Sequence, residues 1–291
     1  MTEKLLLDTD IGSDIDDAVC LAYLLKQPDC ELMGVTTVSG EPVKRAQMVS
    51  AMCKVAGRED IPIYPGAANP LLIPQRQTKA QQAVVLDQWS HETDFPQGEA
   101  VEFLRRTIRA NPGEITLLTI GPLTNIALLF AADAEIPRLL KRLVIMGGHF
   151  TAGPTALEWN IMLDPHAARM VYTTKTTVHH SIGIDVTRQV VMEADMVRER
   201  FSGIPVLQPV IDFANVWFKE NGLLTFHDPL AAVTIFEDDI CTFEKGRVAI
   251  NLESGESFGN TAWITADPPM PHEVALEVNS ERFFEAYFGV F

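Results

Sequence analysis

Three things are scarce in this sequence. There are four cysteines, Cys20, Cys30, Cys53 and Cys241, and no Cys-x-x-Cys pair among them, which speaks against a zinc site or a disulfide framework. Cys20 and Cys53 fall within helical patterns and read as buried thiols. Basic residues are outnumbered, 23 Lys and Arg against 39 Asp and Glu for a net charge of −16, and no Lys/Arg run builds a basic patch. That balance excludes nucleic acid and anionic membrane surfaces as partners and favours a small neutral or cationic ligand. Apolar runs are short, none approaching the ~18 residues of a membrane span, and the N-terminus opens in a strand pattern instead of a basic segment with an apolar core. A cytoplasmic protein with no membrane partner is expected. Repeats, low-complexity tracts and linkers are missing too, so one domain over residues 1–291 is expected.

What is present is an α/β pattern. Hydrophobic residues make up 47% and charged residues 21% of the chain, enough for an ample core. Leu5-Leu6-Leu7, Glu31 to Val38, Ile61 to Tyr64, Ile115 to Ile120, Leu143 to Met146 and Thr177 to Gly183 read as strands. Helical patterns at 18–26, 43–55, 99–109, 126–132 and 165–172 alternate with them. Such alternation specifies an open, mostly parallel, Rossmann-like sheet flanked by helices. After Asp185 helices dominate, 193–201 and 207–221, the second carrying a Phe213, Trp217, Phe218 stripe that reads as core. Strands return at 242–250, 261–266 and 274–278 before a last helix, 280–288.

The leucine run ends in Asp8-Thr9-Asp10-Ile11-Gly12-Ser13-Asp14-Ile15-Asp16-Asp17-Ala18. These acids stand at the C-terminal edge of a buried strand, where open α/β sheets bind their ligands. Gly12 permits a tight path, and Asp14, Asp16 and Asp17 are expected in the first turns of the next helix, where the dipole favours anions. Capping needs one or two acids; five need a counter-charge, and a hard divalent cation with oxygen ligands is the natural one.

Other turns follow later strands. Ser39-Gly40-Glu41-Pro42 places Glu41 at the same sheet edge as Asp10, and a long Pro- and Gln-rich passage from Pro65 to Gln97 contains Trp89-Ser90-His91-Glu92. Gly121-Pro122-Leu123-Thr124-Asn125, Met146-Gly147-Gly148 and Glu158-Trp159-Asn160 follow, with Asp164 as N-cap before Pro165. His227-Asp228-Pro229-Leu230-Ala231 opens an apolar helix.

Taken in order, these landmarks resemble the inosine-uridine-preferring nucleoside hydrolases across essentially the whole chain. Each motif alone is weak; five in sequence are specific. The resemblance implies Ca²⁺-dependent hydrolysis of the N-glycosidic bond of a ribonucleoside to free base and ribose, serving purine or pyrimidine salvage, in a homodimer or homotetramer. It implies that Asp10, Asp17, Asp228 and the main-chain carbonyl of Ile120 hold one Ca²⁺ beside the sugar's 2′- and 3′-hydroxyls and a water, whose proton Asp10 takes. Asp16, Glu158 and Asn160 would hydrogen-bond the ribose, and His227 would help protonate the departing base. The acidic motif is two residues longer than the common form, so Asp14 joins Asp16 as a candidate for the sugar contact. Glu41 stands where an asparagine is usual and Trp159 where phenylalanine is commoner; His91 is a candidate second base-side histidine.

The chemistry is consistent with these residue types. Breaking an N-glycosidic bond passes through an oxocarbenium-like state, which carboxylates stabilise, and the departing base needs a proton that histidine can supply near neutral pH. Two other functions suit parts of the pattern. A Mg²⁺-dependent phosphohydrolase would want a lysine or arginine near the acids, and the acidic turns supply none. A non-catalytic nucleoside-binding protein of the same fold would not need both Asp10 and His227.

Overall fold

Leu5, Leu6 and Leu7 are all fully buried, because their strand lies inside a sheet covered on both faces: Leu5 and Leu7 enter one core and Leu6 the other. Each such leucine contributes roughly 1.5–3 kcal/mol of burial free energy. The computed structural model describes residues 2–153, 155–266 and 268–291. The chain runs through β1 (Glu3–Thr9), α1 (Asp16–Lys26), β2 (Cys30–Thr37), α2 (Pro42–Val55), β3 (Ile63–Pro65), α3 (Ala100–Ala110), β4 (Ile115–Thr119), α4 (Thr124–Ala132), α5 (Ile136–Leu139) and β5 (Arg142–Met146). It continues through α6 (Trp159–Leu163), α7 (Pro165–Thr173), β6 (His179–Ile182), α8 (Ile184–Thr187), β7 (Val191–Glu193), α9 (Ala194–Phe201), α10 (Gln208–Trp217) and β8 (Leu223–Thr225). The last elements are α11 (His227–Val233), β9 (Cys241–Ile250), β10 (Thr261–Ile264), β11 (His272–Val278) and α12 (Ser280–Phe288).

Nine strands form one sheet in the order β10-β9-β11-β6-β5-β4-β1-β2-β3. Neighbours from β3 to β11 are parallel, and only β9 and β10 introduce antiparallel pairs. The expected open, mostly parallel sheet is therefore present, with β7 and β8 as a separate antiparallel ribbon. Chain order reverses beside β1, with β2 and β3 on one side and β4 to β6 on the other. That reversal opens a crevice at the C-terminal ends of β1 and β4, where the acidic motif lies.

The C-terminal helix holds two parts of that crevice. Tyr287 of α12 stacks on Tyr23 of α1 with ring centroids 5.6 Å apart, and its hydroxyl donates to the Val19 carbonyl at 3.0 Å. Phe226, immediately before α11, is fully buried with edge-to-face contacts of 5.6, 5.3 and 5.5 Å to Phe283, Phe284 and Tyr287. Both α1 and the start of α11 are thus anchored on one aromatic cluster.

Two local expectations change. Helix α1 begins at Asp16, so Asp14 lies in the turn before it, its carboxylate accepting from the Ile15 N–H at 2.6 Å in competition with helical pairing. Helix α10 stops at Trp217, and of its aromatic stripe only Phe213 is fully buried. All four cysteines are free thiols. Among the described residues no helix is long and apolar enough to cross a membrane.

Candidate active site at the sheet switch point

A cavity of about 680 Å³ sits in the crevice, a volume suited to a small-molecule ligand. Its acidic side is lined by Asp10, Asp14, Asp16, Asp17 and Asp228, with Ile120 following β4; Glu158, Trp159 and Asn160 stand after β5, and Arg188 and His227 complete the far wall. Asp8 faces the sheet interior instead, accepting from Thr36 Oγ1 at 2.5 Å and Asn125 Nδ2 at 2.7 Å. Four of the five acids in the motif therefore reach the cavity.

Asp16 and Asp17 open α1, and Asp228 lies in the first turn of α11. Carboxylate oxygens from all three lie within 4.8 Å of one another. Thr9 Oγ1 and the Asp10 N–H donate to Asp17 Oδ1 at 2.5 and 3.2 Å, and the Asp228 N–H donates to Asp16 Oδ2 at 3.1 Å. Burial first, then mutual repulsion, pushes all three well above the ordinary carboxylate range. Arg45, fully buried on α2, clamps the motif from behind through the carbonyls of Asp10 and Ile11, Ser13 Oγ and the Gly40 carbonyl. Its hydrogen bonds go to carbonyls and a hydroxyl, so the carboxylate oxygens remain without a cationic partner of their own. Three buried carboxylates with an all-oxygen donor set fit a hard divalent cation.

Asp10 flanks this triad. Its Oδ2 accepts from Gln77 Nε2, and Gly121 backs its Oδ1 so closely that a Cβ there would lie 2.6 Å away. Glycine is needed at that position for this close approach. Burial raises the Asp10 carboxyl above its usual range, opposed by Arg45 and Gln77. The Ile120 carbonyl lines the cavity and accepts from Asn160 Nδ2 at 2.8 Å. Glu158 caps α6: its two oxygens accept from the backbone N–H groups of Gly148, Asn160 and Ile161 at 3.1, 2.8 and 3.0 Å. Trp159 is half exposed and donates its indole N–H to Gln77 Oε1 at 2.6 Å.

On the far wall, Thr187 Oγ1 and His227 Nδ1 are 2.6 Å apart, and burial with help from Arg188 lowers His227 to about 4. The ring is neutral at pH 7. Asp14 lines the cavity and is pushed by burial up to about 7.

Two sequence candidates stand elsewhere. Glu41 pairs with Lys44 at 2.6 Å and accepts from the Ala80 N–H at 3.0 Å, bonds that hold its carboxyl below the usual range. It braces the long loop and lines no part of the cavity. His91 turns its Nδ1 to the Trp89 carbonyl at 2.7 Å within that loop and is likewise absent from the cavity wall.

Several residues that line or support the cavity escaped the sequence reading. Gln77 is one of four glutamines in a short stretch, and nothing local separates it from Gln75, Gln81 or Gln82. Arg45 reads as an ordinary helical cation, and Thr187 and Arg188 follow β6 without a recognised motif. Trp217, expected in the core, lines the cavity wall. The acidic turns carry no base of their own, yet the fold brings Arg76, Lys79 and Arg188 to the same cavity.

The chain is similar to known proteins in both sequence and fold. Residues 5–285 match the family model of the inosine-uridine preferring nucleoside hydrolases. The chain is 31% identical to uridine nucleosidase 1 of Arabidopsis thaliana, over 89% of this chain and 81% of that protein. It is 30% identical to the pyrimidine-specific ribonucleoside hydrolase RihA of Klebsiella pneumoniae, over 98% and 97% of the two chains. Its fold is similar to a solved purine-preferring ribonucleoside hydrolase from Gardnerella vaginalis, with a TM-score of 0.85 at 22% identity over 99% and 98% of the chains. A plant nucleoside hydrolase matches with a TM-score of 0.84 at 24% identity, over 100% and 99%.

Proposed function

The chain belongs to the inosine-uridine preferring nucleoside hydrolases, enzymes that cleave the N-glycosidic bond of ribonucleosides, and we propose that it does so with Ca²⁺ held by Asp10, Asp17, Asp228 and the Ile120 carbonyl. The observation that carries this reading is the buried carboxylate triad of Asp16, Asp17 and Asp228, with Asp10 lining the same cavity beside it. When bound, the ion would supply positive charge that orients the sugar diol and acidifies water.

The remaining work falls to side chains of this protein. Asp10, raised by burial and pinned between Gln77 and Gly121, accepts the proton of the attacking water. The buried carboxylates surround the ribosyl ring and stabilise the positive charge that develops as the bond breaks. Glu158 has spent three acceptor positions on backbone N–H groups, leaving one lone pair for a ribose hydroxyl. Asn160 has committed its amide N–H to the Ile120 and Met146 carbonyls, so its oxygen is free to receive a hydroxyl. A neutral His227 ring whose Nδ1 accepts from the Thr187 hydroxyl carries its N–H on Nε2 and offers it as a hydrogen bond to the departing base, holding the charge that gathers there until solvent supplies the proton. Asp14 and Trp159 complete the sugar side.

The test is a reducing-sugar assay over a panel of purine, pyrimidine, deoxy and 5′-modified nucleosides, with and without calcium. Calcium-dependent release of base and ribose is expected. Hydrolysis of phosphate esters with no nucleoside cleaved would overturn the reading, as would tight nucleoside binding with no turnover.

A further inference from the structure

We propose that Gln77 is a positioning residue that fixes the Asp10 carboxylate and ties it to Trp159. The inference rests on the reading above and extends the Gln77–Asp10 contact to a chain that reaches Trp159. Gln77 is 5% exposed, and both ends of its amide are engaged: Nε2 donates to Asp10 Oδ2 and Oε1 accepts from Trp159 Nε1 at 2.6 Å. An ionised carboxylate only accepts and an indole N–H only donates, so chemistry dictates this orientation; a flipped amide would lose both bonds. Ser39 Oγ lies 3.4 Å from the same Nε2.

The loop that carries Gln77 is stitched down. Gln75 Oε1 accepts from the Gln77 N–H at 2.8 Å, Arg45 Nη2 donates to the Lys79 carbonyl at 3.2 Å, and the Gln82 N–H donates to the Gly12 carbonyl at 3.0 Å. Gly40 admits the Gln77 carbonyl where a Cβ would meet it at 2.4 Å. Gln77 is therefore a fixed wall of the site, and Asp10 is clamped between it and Gly121. Trp159 is the exposed member of the chain, with half its surface open to the cavity mouth and solvent. A ribosyl ligand that packs on the indole holds its N–H on Gln77, and through Gln77 keeps the carboxylate in the orientation that accepts the proton. Binding energy from the sugar side thus reaches the base without direct contact.

Calorimetric calcium titration of substrate-free protein, together with kcat and KM on a cleaved nucleoside, tests this in Gln77→Leu, Trp159→Phe and the double variant. Gln77→Leu is expected to weaken calcium binding and to lower kcat, each by roughly 10- to 100-fold, with a smaller change in KM. Trp159→Phe keeps the ring and removes the donor; it should move both quantities in the same direction by a smaller factor. The double variant should be no worse than Gln77→Leu, because the chain is already broken. Unchanged calcium affinity and kcat in Gln77→Leu overturns the proposal, as do losses that multiply in the double variant. Should Gln77→Leu fail to fold, an unaffected Trp159→Phe overturns it alone. Wild-type protein that binds calcium and cleaves nucleosides while the variants are indifferent sinks only this inference; wild-type protein that does neither sinks the preceding reading as well.

Discussion

Two clusters of buried titratable groups sit on the same sheet and meet burial in opposite ways. At the switch point, Asp10, Asp16, Asp17 and Asp228 share one cavity. Toward the other end, His179 of β6 and His272 of β11 pack with ring centroids 4.5 Å apart, against Tyr172 at 4.8 and 5.4 Å. The histidines resolve burial by staying neutral: burial takes His272 down to about 4 and His179 well below its ordinary range. A neutral imidazole still hydrogen-bonds, as Ser181 Oγ beside His179 Nε2 at 3.2 Å and the Val248 N–H donating to His272 Nδ1 at 2.8 Å illustrate. The carboxylates become neutral only by taking up protons. Burial raises them together, and on the proposed function proton binding and cation binding are alternative ways to offset their charge. One cluster is packed among aromatic rings; the other lines a cavity.

Removing a member of the acidic cluster should have the largest effect. Asp10→Ala is expected to lower kcat by about 10³-fold or more, measured by base release, whereas His272→Gln should leave kcat within a few-fold. Comparable losses in both would erase the contrast.

His227→Ala comes next. A loss of about 10²-fold is expected for nucleosides with poor leaving groups and much less for a riboside with an activated phenol. Equal losses across leaving groups would remove His227 from base departure.

Calcium should stabilise the folded protein. At a concentration 100-fold above Kd the gain is about 2.7 kcal/mol, or roughly 5 °C in Tm for a chain of this size. Asp17→Asn and Asp228→Asn should abolish the shift. The gain should shrink as pH falls: Asp14, raised from an ordinary 3.8 to about 7, binds protons more readily folded than unfolded across that window, and protons compete with the ion. A calcium shift that grows toward pH 5 would contradict this.

The smallest effect belongs to the histidines, whose proton linkage is opposite in sign to that of Asp14. With folded values below 6.5, the unfolded chain takes up their protons first, so stability is lost as pH falls from 6.5 toward about 4. Calcium-loaded protein should lose a few degrees of Tm over that range, and His272→Gln should flatten the slope.

Much of this was readable before any fold was known, for a local reason. A triple-leucine run followed by acids marks a buried strand edge, and His227-Asp228-Pro229 marks a helix start, because periodicity and capping act within a few residues. That reasoning located Asp10, Asp16, Asp17, Glu158, Asn160, His227 and Asp228, all of which line one cavity. It also singled out Glu41 and His91, which do not line that cavity: Glu41 is turned to Lys44 and Ala80 at the start of α2, and His91 follows the path of the long loop.

Sequence by itself determined the alternation of strands and helices, the sheet type and the edge at which the acids gather. Only the tertiary structure decided that Asp228 would meet Asp16 across 212 residues, that Arg45 would clamp the acidic turn from beneath, and that Gln77 among its neighbouring glutamines would touch Asp10. Burial patterns and caps are written in nearest neighbours; contacts between distant carboxylates, amides and an indole exist only once packing has brought their elements together.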